Sequence, residues 1–253
     1  MITVKSLKRW RTLRAGGRFG GRSLGFVPTM GALHDGHLSL IARARRENDI
    51  VAASVFVNPA QFNDKKDLAR YPRTLAADTK MLAAAGADFL LAPNAGDMYP
   101  DGYRYRVDEK EESRLLCGAY RPGHFEGVLT VVLKLLNLVK PDRAYFGEKD
   151  YQQYRLIKGM AEALFLDVEI VPCPIVREPD GLAMSSRNLL LNEEERAIAP
   201  ALNMVLGSKA SIPNMKKALA KLGFGPEYIE ERWGRRLAAA KLGKVRLIDN
   251  VEA

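Results

Sequence analysis

Short apolar runs bounded by turn residues, at 24–27, 50–57, 89–92, 144–146 and 168–171, alternate with segments of helical period at 38–47, 74–85, 127–139 and 151–164. Runs that are apolar on both faces belong to strands covered on both sides. Strands that alternate with helices are joined by right-handed crossovers into a parallel sheet. The pattern therefore predicts an α/β fold with helices on both faces of a parallel sheet. Ligands of such sheets sit beyond the carboxyl ends of the strands, so the loop after each strand is where chemistry is expected.

The 253 residues, 47% of them hydrophobic, can bury one large domain or two modest ones, and 27% charged residues with 21 Gly and 13 Pro exclude collagenous, low-complexity and disordered classes. The pattern changes at Arg177. Glu178-Pro179-Asp180-Gly181 reads as a turn, and Asn192 as the N-cap of a helix opening with Glu193, Glu194 and Glu195. Gly207, Gly223, Gly225 and a strand-like stretch at 245–248 follow. These features predict a small α+β unit, giving a division into residues 1–176 and 177–253.

The net charge of +9 admits nucleic acid, a membrane surface or phosphorylated small molecules as partners. Part of the excess lies near the start, in Lys5, Lys8, Arg9, Arg11, Arg14, Arg18 and Arg22. This run reads as the solvated face of a short helix that turns Leu7, Trp10 and Leu13 inward, with an RNA-binding arm as the alternative. Cys117 and Cys173 are too few for a disulfide framework and read as reduced thiols. The apolar stretch 128–139 is interrupted by Lys134 and Asn137 and is shorter than the ~20 residues a span needs, and the N-terminus has no apolar signal core. A cytoplasmic protein with neither nucleic-acid nor membrane partners is expected.

The first chemical motif is Pro28-Thr29-Met30-Gly31-Ala32-Leu33-His34-Asp35-Gly36-His37, between the first strand and the helix that follows. Glycines let backbone approach a ligand, a helix beginning near His37 offers free N–H groups, and imidazoles donate to phosphate oxygens. That combination suits a nucleotide triphosphate, although neither the phosphate-loop nor the dinucleotide glycine pattern is present. A structural histidine pair and a His-x-x-His metal site are the competing readings. A metal needs further ligands, and His124, the remaining histidine, is far along the chain.

Asn58 and Gln61 leave the second strand in Val57-Asn58-Pro59-Ala60-Gln61-Phe62. Their neutral amides suit the hydroxyls and carboxylate of a small substrate, or they cap the loop around Pro59. In Phe146-Gly147-Glu148-Lys149-Asp150-Tyr151-Gln152-Gln153, Lys149 can neutralise phosphate, Asp150 can accept from ribose hydroxyls, and Gln153 lies one turn on. Met184-Ser185-Ser186-Arg187-Asn188 places hydroxyls beside a guanidinium, as a phosphate clamp or an ordinary polar turn would.

In this order the motifs closely resemble the pantothenate synthetase (pantoate-β-alanine ligase) family of the HIGH-motif nucleotidyltransferase superfamily. His34-Asp35-Gly36-His37 is similar to its HIGH element, and Met184-Ser185-Ser186-Arg187-Asn188 to its counterpart of the KMSKS loop. The Asn58–Gln61 and Gly147–Gln153 segments, Tyr71-Pro72-Arg73-Thr74 and Arg121-Pro122-Gly123-His124-Phe125 also match, from about residue 25 to 192 and again at 236–251.

The resemblance implies ATP-dependent joining of pantoate to β-alanine through a pantoyl-adenylate, with release of pyrophosphate and then AMP. It implies a Rossmann-like domain, a small C-terminal lid domain, a homodimer, and Mg2+ on the outer phosphates of ATP. By position, His34, His37, Lys149 and Arg187 would be catalytic. Met30, His37, Gly147, Lys149, Asp150, Val176, Met184, Ser185, Ser186 and Arg187 would surround ATP. Met30, Asn58, Gln61 and Gln153 would surround pantoate, with Arg121 and His124 at the cavity. Where the family commonly has an acidic pair this chain has Ala77 then Asp78, leaving Asp78 as the candidate metal ligand, and the stretch 201–235 is short for a lid. Another nucleotidyltransferase of the same superfamily and a non-catalytic basic RNA-binding protein are the alternatives.

Overall fold

A computed structural model describes residues 1–17 and 19–253; Arg18 of the basic run lies outside the described residues. The chain forms two compact units. One comprises Met1–Gly147 and Gln152–Cys173, the other Glu148–Tyr151 and Pro174–Ala253. The chain thus passes into the second unit at Pro174, and four residues after Gly147 belong to that unit as well, which a single cut in the sequence cannot represent.

Among the described residues of the first unit, six parallel strands form one sheet: β1 Ile2–Val4, β2 Leu24–Thr29, β3 Ile50–Val55, β4 Phe89–Leu91, β5 Arg143–Gly147 and β6 Glu169–Cys173. Their order is β1-β4-β3-β2-β5-β6. The sequence pattern locates all but β1, a three-residue edge strand whose register runs from Ile2 opposite Phe89 to Val4 opposite Leu91. It is too short to show a period of its own.

One face of the sheet presents Val27, Val51, Ala53, Leu90 and Tyr145 to Leu40, Ile41 and Ala44 of the helix Asp35–Glu47 and to Leu82 of the helix Leu75–Ala84. The pleat turns Leu24, Phe26 and Leu91 the other way, and all are buried. Trp10 of the helix Leu7–Ala15 is also fully buried. It packs edge-on against Phe19 and Phe89, and its indole donates to the Leu138 carbonyl at 2.7 Å. The basic run accordingly surrounds an anchored helix whose inward residue is Trp10. Among the described residues no helix is long and apolar enough to cross a membrane.

β2 pairs with both β3 and β5, so the order of the chain through the sheet reverses at β2. Crossovers that leave to opposite sides open a crevice above the carboxyl ends of these strands. The His34 loop leaves β2 there, and Gly147 closes β5.

The second unit contains an antiparallel sheet, β7 Phe224–Arg232, β8 Arg235–Leu242 and β9 Val245–Glu252, in that order. Leu202, Leu206, Met215 and Leu219 from the helices Ala201–Leu206 and Ile212–Lys221 pack on Ile229, Ala238, Ala240 and Leu247 of this sheet. The helix Glu193–Ile198 opens as expected, with Asn192 and Glu195 exchanging the two hydrogen bonds of a capping box.

Candidate active site

The loop before the first imidazole is held from below. The Thr29 hydroxyl donates to the Ser54 carbonyl at 2.7 Å and accepts the Gly31 amide at 3.1 Å. Gly31 and Ala32 both take positive φ, 82° and 50°. A side chain at 31 would be strained there, and its Cβ would meet Asp78 Oδ2 at 2.8 Å. Asp78 is the reason the loop holds this shape. Its carboxylate accepts the Ala32 amide at 3.2 Å, the Leu33 amide at 2.9 Å and the Thr74 hydroxyl at 3.2 Å.

In this structure Asp78, the candidate metal ligand, serves the loop. The residue is 1% exposed, and both of its oxygens are engaged by the protein. Among the described residues no group of three or more His, Cys, Asp or Glu side chains could hold a metal ion. The residues present do not fit a protein-built magnesium site.

His34 occupies the N-cap position of the helix Asp35–Glu47, which starts two residues earlier than the expected start near His37. Its carbonyl accepts the His37 and Leu38 amides at 2.8 and 3.1 Å, and its imidazole makes no cap hydrogen bond. The ring is left to pair with that of His37, centroid to centroid at 4.1 Å. Two half-buried imidazoles thus stand at the N-terminus of a thirteen-residue helix, where the helix dipole and ring N–H groups together suit an anion.

Gln61 is 8% exposed and is gripped on two sides. Its backbone carbonyl meets His124 Nδ1 at 2.8 Å and accepts from Arg121 at 3.3 Å, while Arg121 also meets His124 Nε2 at 3.0 Å. That places Arg121 and His124 as supports of the Gln61 backbone. On the other side Asn58 Nδ2 donates to Gln61 Oε1 at 3.0 Å, which turns Gln61 Nε2 toward the Met30 thioether, 3.1 Å away.

Asn58 itself supports the loop in this structure. It is 1% exposed, Nδ2 also donates to the Gly127 carbonyl at 3.0 Å, and Oδ1 accepts from Ala60 N and from the Tyr99 hydroxyl at 2.6 Å. All four hydrogen-bonding positions of its amide are therefore filled. The sequence left capping and substrate binding open for this pair; Asn58 caps and Gln61 keeps a donor. Met30 also lines a cavity of about 450 Å3, together with Val55, Pro59, Arg73 and Asn94.

Gln153 is half-buried on the helix Tyr151–Ala163. Its neighbour Gln152 points into the protein, accepting the Cys117 amide at 3.1 Å and donating to the carbonyls of Glu112 and Leu115, both at 2.8 Å. Gly147 is different from Gly31. A Cβ there would touch nothing within 4 Å, so protein packing gives no reason for its being glycine.

In the second unit, Lys149 Nζ lies 3.7 Å from the Asp150 carboxylate, and the segment carrying them is tied to β9. Asn250 Nδ2 donates to the carbonyls of Glu148 and Lys149 at 2.9 and 3.2 Å. Arg235 bridges Glu148 and Asn250 Oδ1 at 2.9 and 2.8 Å. The adjacent Asp249 receives Arg177 through two bonds of 2.7 and 3.0 Å. Arg177 pairs with Ala183 in a short bridge, beside which the Met184 amide donates to the Val176 carbonyl at 3.0 Å. Ser185 Oγ then caps the Arg187 amide at 3.3 Å and opens the turn Ser186–Leu190, in which Ser186 is buried. One dipeptide of β9 thereby fixes both segments that carry the phosphate-binding candidates of this unit. Neither it nor Tyr99 stood out in the sequence.

The model of one protein family, described as pantoate-beta-alanine ligase, matches residues 2–252. The chain belongs to the pantoate-β-alanine ligase family. It is 54% identical over 243 residues to the pantothenate synthetase of Bdellovibrio bacteriovorus, covering 96% of this chain and 94% of that one. The crystal structure of the Francisella tularensis pantoate-β-alanine ligase, complexed with β-γ ATP and β-alanine, superposes with a TM-score of 0.95 at 42% identity, over 100% of this chain and 97% of that one. The pantothenate synthetase of Thermus thermophilus gives a TM-score of 0.88 at 43% identity, over 100% and 99%. As a member of this ligase family the chain is an enzyme forming a carbon–nitrogen bond, which removes the reading as a non-catalytic RNA-binding protein.

Proposed function

We propose that this ligase condenses pantoate with β-alanine by way of a pantoyl-adenylate. A pantoate carboxylate oxygen attacks the α-phosphorus of ATP in line, and the bond to the β-bridging oxygen breaks to release pyrophosphate. The β-alanine amine then attacks the acyl carbon, its C–O bond to AMP breaks, and the amine proton is lost to solvent. Both reactants of the first step are anions, so the enzyme's task is to neutralise and align them.

The Gln61 amide carries this reading. Its Oε1 is committed to Asn58, while its Nε2 faces a thioether, a weak acceptor that a pantoate oxygen replaces with gain. Gln153 and Met30 complete the pantoate surroundings. His34 and His37, at the helix N-terminus, take phosphate oxygens. The open space at Gly147 supports close approach of the ribose, with Asp150 as its acceptor. Lys149, Ser185, Ser186 and Arg187 bind phosphate oxygens, and Val176 and Met184 face the adenine. Magnesium comes in on ATP and is given no protein ligand here. A homodimer in the cytoplasm belongs to the same reading.

The test is AMP release with each substrate omitted in turn. AMP and pantothenate, formed only with ATP, pantoate and β-alanine all present, are expected. A final product that retains the nucleotide would instead make the chain a nucleotidyltransferase of the wider superfamily.

A further inference from the structure

The Tyr99 hydroxyl donates to Asn58 Oδ1 at 2.6 Å, and Asn58 Nδ2 donates on to Gln61 Oε1 at 3.0 Å. We propose that Tyr99 is a positioning residue for pantoate, acting through Asn58 to hold Gln61 with its amide donor turned to the substrate. The inference rests on Gln61 as a pantoate contact and adds the residue that sets its orientation.

An amide side chain can be flipped by half a turn at little steric cost, and a flipped Gln61 would present a carbonyl oxygen to an anionic substrate. Local groups determine which way it lies. Asn58 Oδ1 has two donors, and the Ala60 amide, at 3.3 Å, is the longer of them. The Ala60 amide, which can only donate, and the Gly127 carbonyl, which can only accept, set the sense of the Asn58 amide, and the Tyr99 bond, the shortest the side chain makes, anchors it in that sense. With Oδ1 fixed, Nδ2 must face the Gly127 carbonyl and Gln61 Oε1, both at 3.0 Å, and Gln61 Nε2 is left facing Met30.

Tyr99 suits this task because its own geometry is fixed by neighbours other than Asn58. Its ring stacks edge-on against Tyr103 at 5.1 Å, lies 6.3 Å from Phe56, and receives the Lys134 ammonium at 4.8 Å. Burial raises the phenol pKa well above that of an ordinary tyrosine, so the hydroxyl keeps its proton and remains a donor. Nothing in the local sequence announces the role, since Tyr99 lies past β4, forty-one residues from its partner.

The experiment is steady-state kinetics on Tyr99→Phe, which keeps the ring and removes the hydroxyl, with Tyr103→Phe as a matched loss of a nearby phenol that does not touch Asn58. Tyr99→Phe is expected to raise the pantoate KM roughly three- to tenfold, the equivalent of one net hydrogen bond. The ATP KM and kcat should stay within about twofold, and Tyr103→Phe should leave the pantoate KM unchanged. In a Gln61→Ala background Tyr99→Phe should have no further effect on pantoate. An unchanged pantoate KM in Tyr99→Phe, an equal rise in the ATP KM, or a full additional effect without Gln61 would overturn the relay. If Gln61→Ala itself spares the pantoate KM, the pocket assignment fails and the relay with it; a Gln61→Ala defect without a Tyr99→Phe defect sinks the relay alone.

Discussion

The Asp78 carboxylate accepts the Leu33 amide at 2.9 Å, and through this bond and its partner at Ala32 it sets the backbone immediately before His34. An acidic residue that looks like a metal ligand in the sequence thus clamps the loop that leads to His34. Asp78→Ala would leave two buried amides without their acceptor, at a cost of about 2–4 kcal/mol. Urea unfolding should show that loss, and adenylate formation should fall with it. Raising the magnesium concentration should restore neither; restoration would return Asp78 to the metal.

His34 and His37 stand differently, because neither imidazole caps the helix they begin. Replacing either with Ala should slow adenylate formation by about a hundredfold or more while leaving the melting temperature within about 2 °C. Parallel losses of rate and melting temperature would mark the pair as structural.

Asn250 supports the Lys149 segment through the carbonyls of Glu148 and Lys149, so Asn250→Ala should raise the ATP KM and spare the pantoate KM. Asn192→Ala provides the comparison. It removes the capping box of the helix Glu193–Ile198 in the same unit, at about 1 kcal/mol, and should leave both KM values as they were. If the two variants behave alike, general destabilisation accounts for the Asn250 effect.

Asp101 accepts the Tyr105 amide at 3.0 Å and lies 3.4 Å from Lys134 Nζ. These contacts, the Tyr105 bond foremost, lower its carboxyl pKa from 3.8 to about 2. A depressed folded-state value stabilises the protein fully above the unfolded value and loses that contribution as pH falls through about 2. Asp101→Asn should therefore melt below the wild type at pH 6, with the gap closing only under strong acid. A gap that is the same at every pH would contradict this.

The central strands, the alternation of strand and helix and the His34 loop were legible because each rests on local signals: apolar runs, helical period, and glycine next to histidine at a strand end. β7 and β8 were not. Pro226 interrupts β7 at a register shift, and the hairpin turn is Trp233-Gly234, in which a tryptophan takes a φ of 54° where asparagine or aspartate would have signalled the turn. The roles of Asp78, Asn58, Tyr99 and Asn250 were also out of reach. Each depends on a partner between 41 and 102 residues away, Gln61 excepted, and spacing along the chain carries no information about such contacts. Between Asn58 and Gln61 the sequence offered two roles for one pair, and the division of labour became visible only when each amide's partners could be counted.

Isotope exchange reaches the proposed intermediate directly. With ATP, pantoate and labelled pyrophosphate present and β-alanine withheld, the account predicts rapid pantoate-dependent return of label into ATP, because activation of the carboxylate precedes attack by the amine. Label that enters ATP only after β-alanine is added would contradict it.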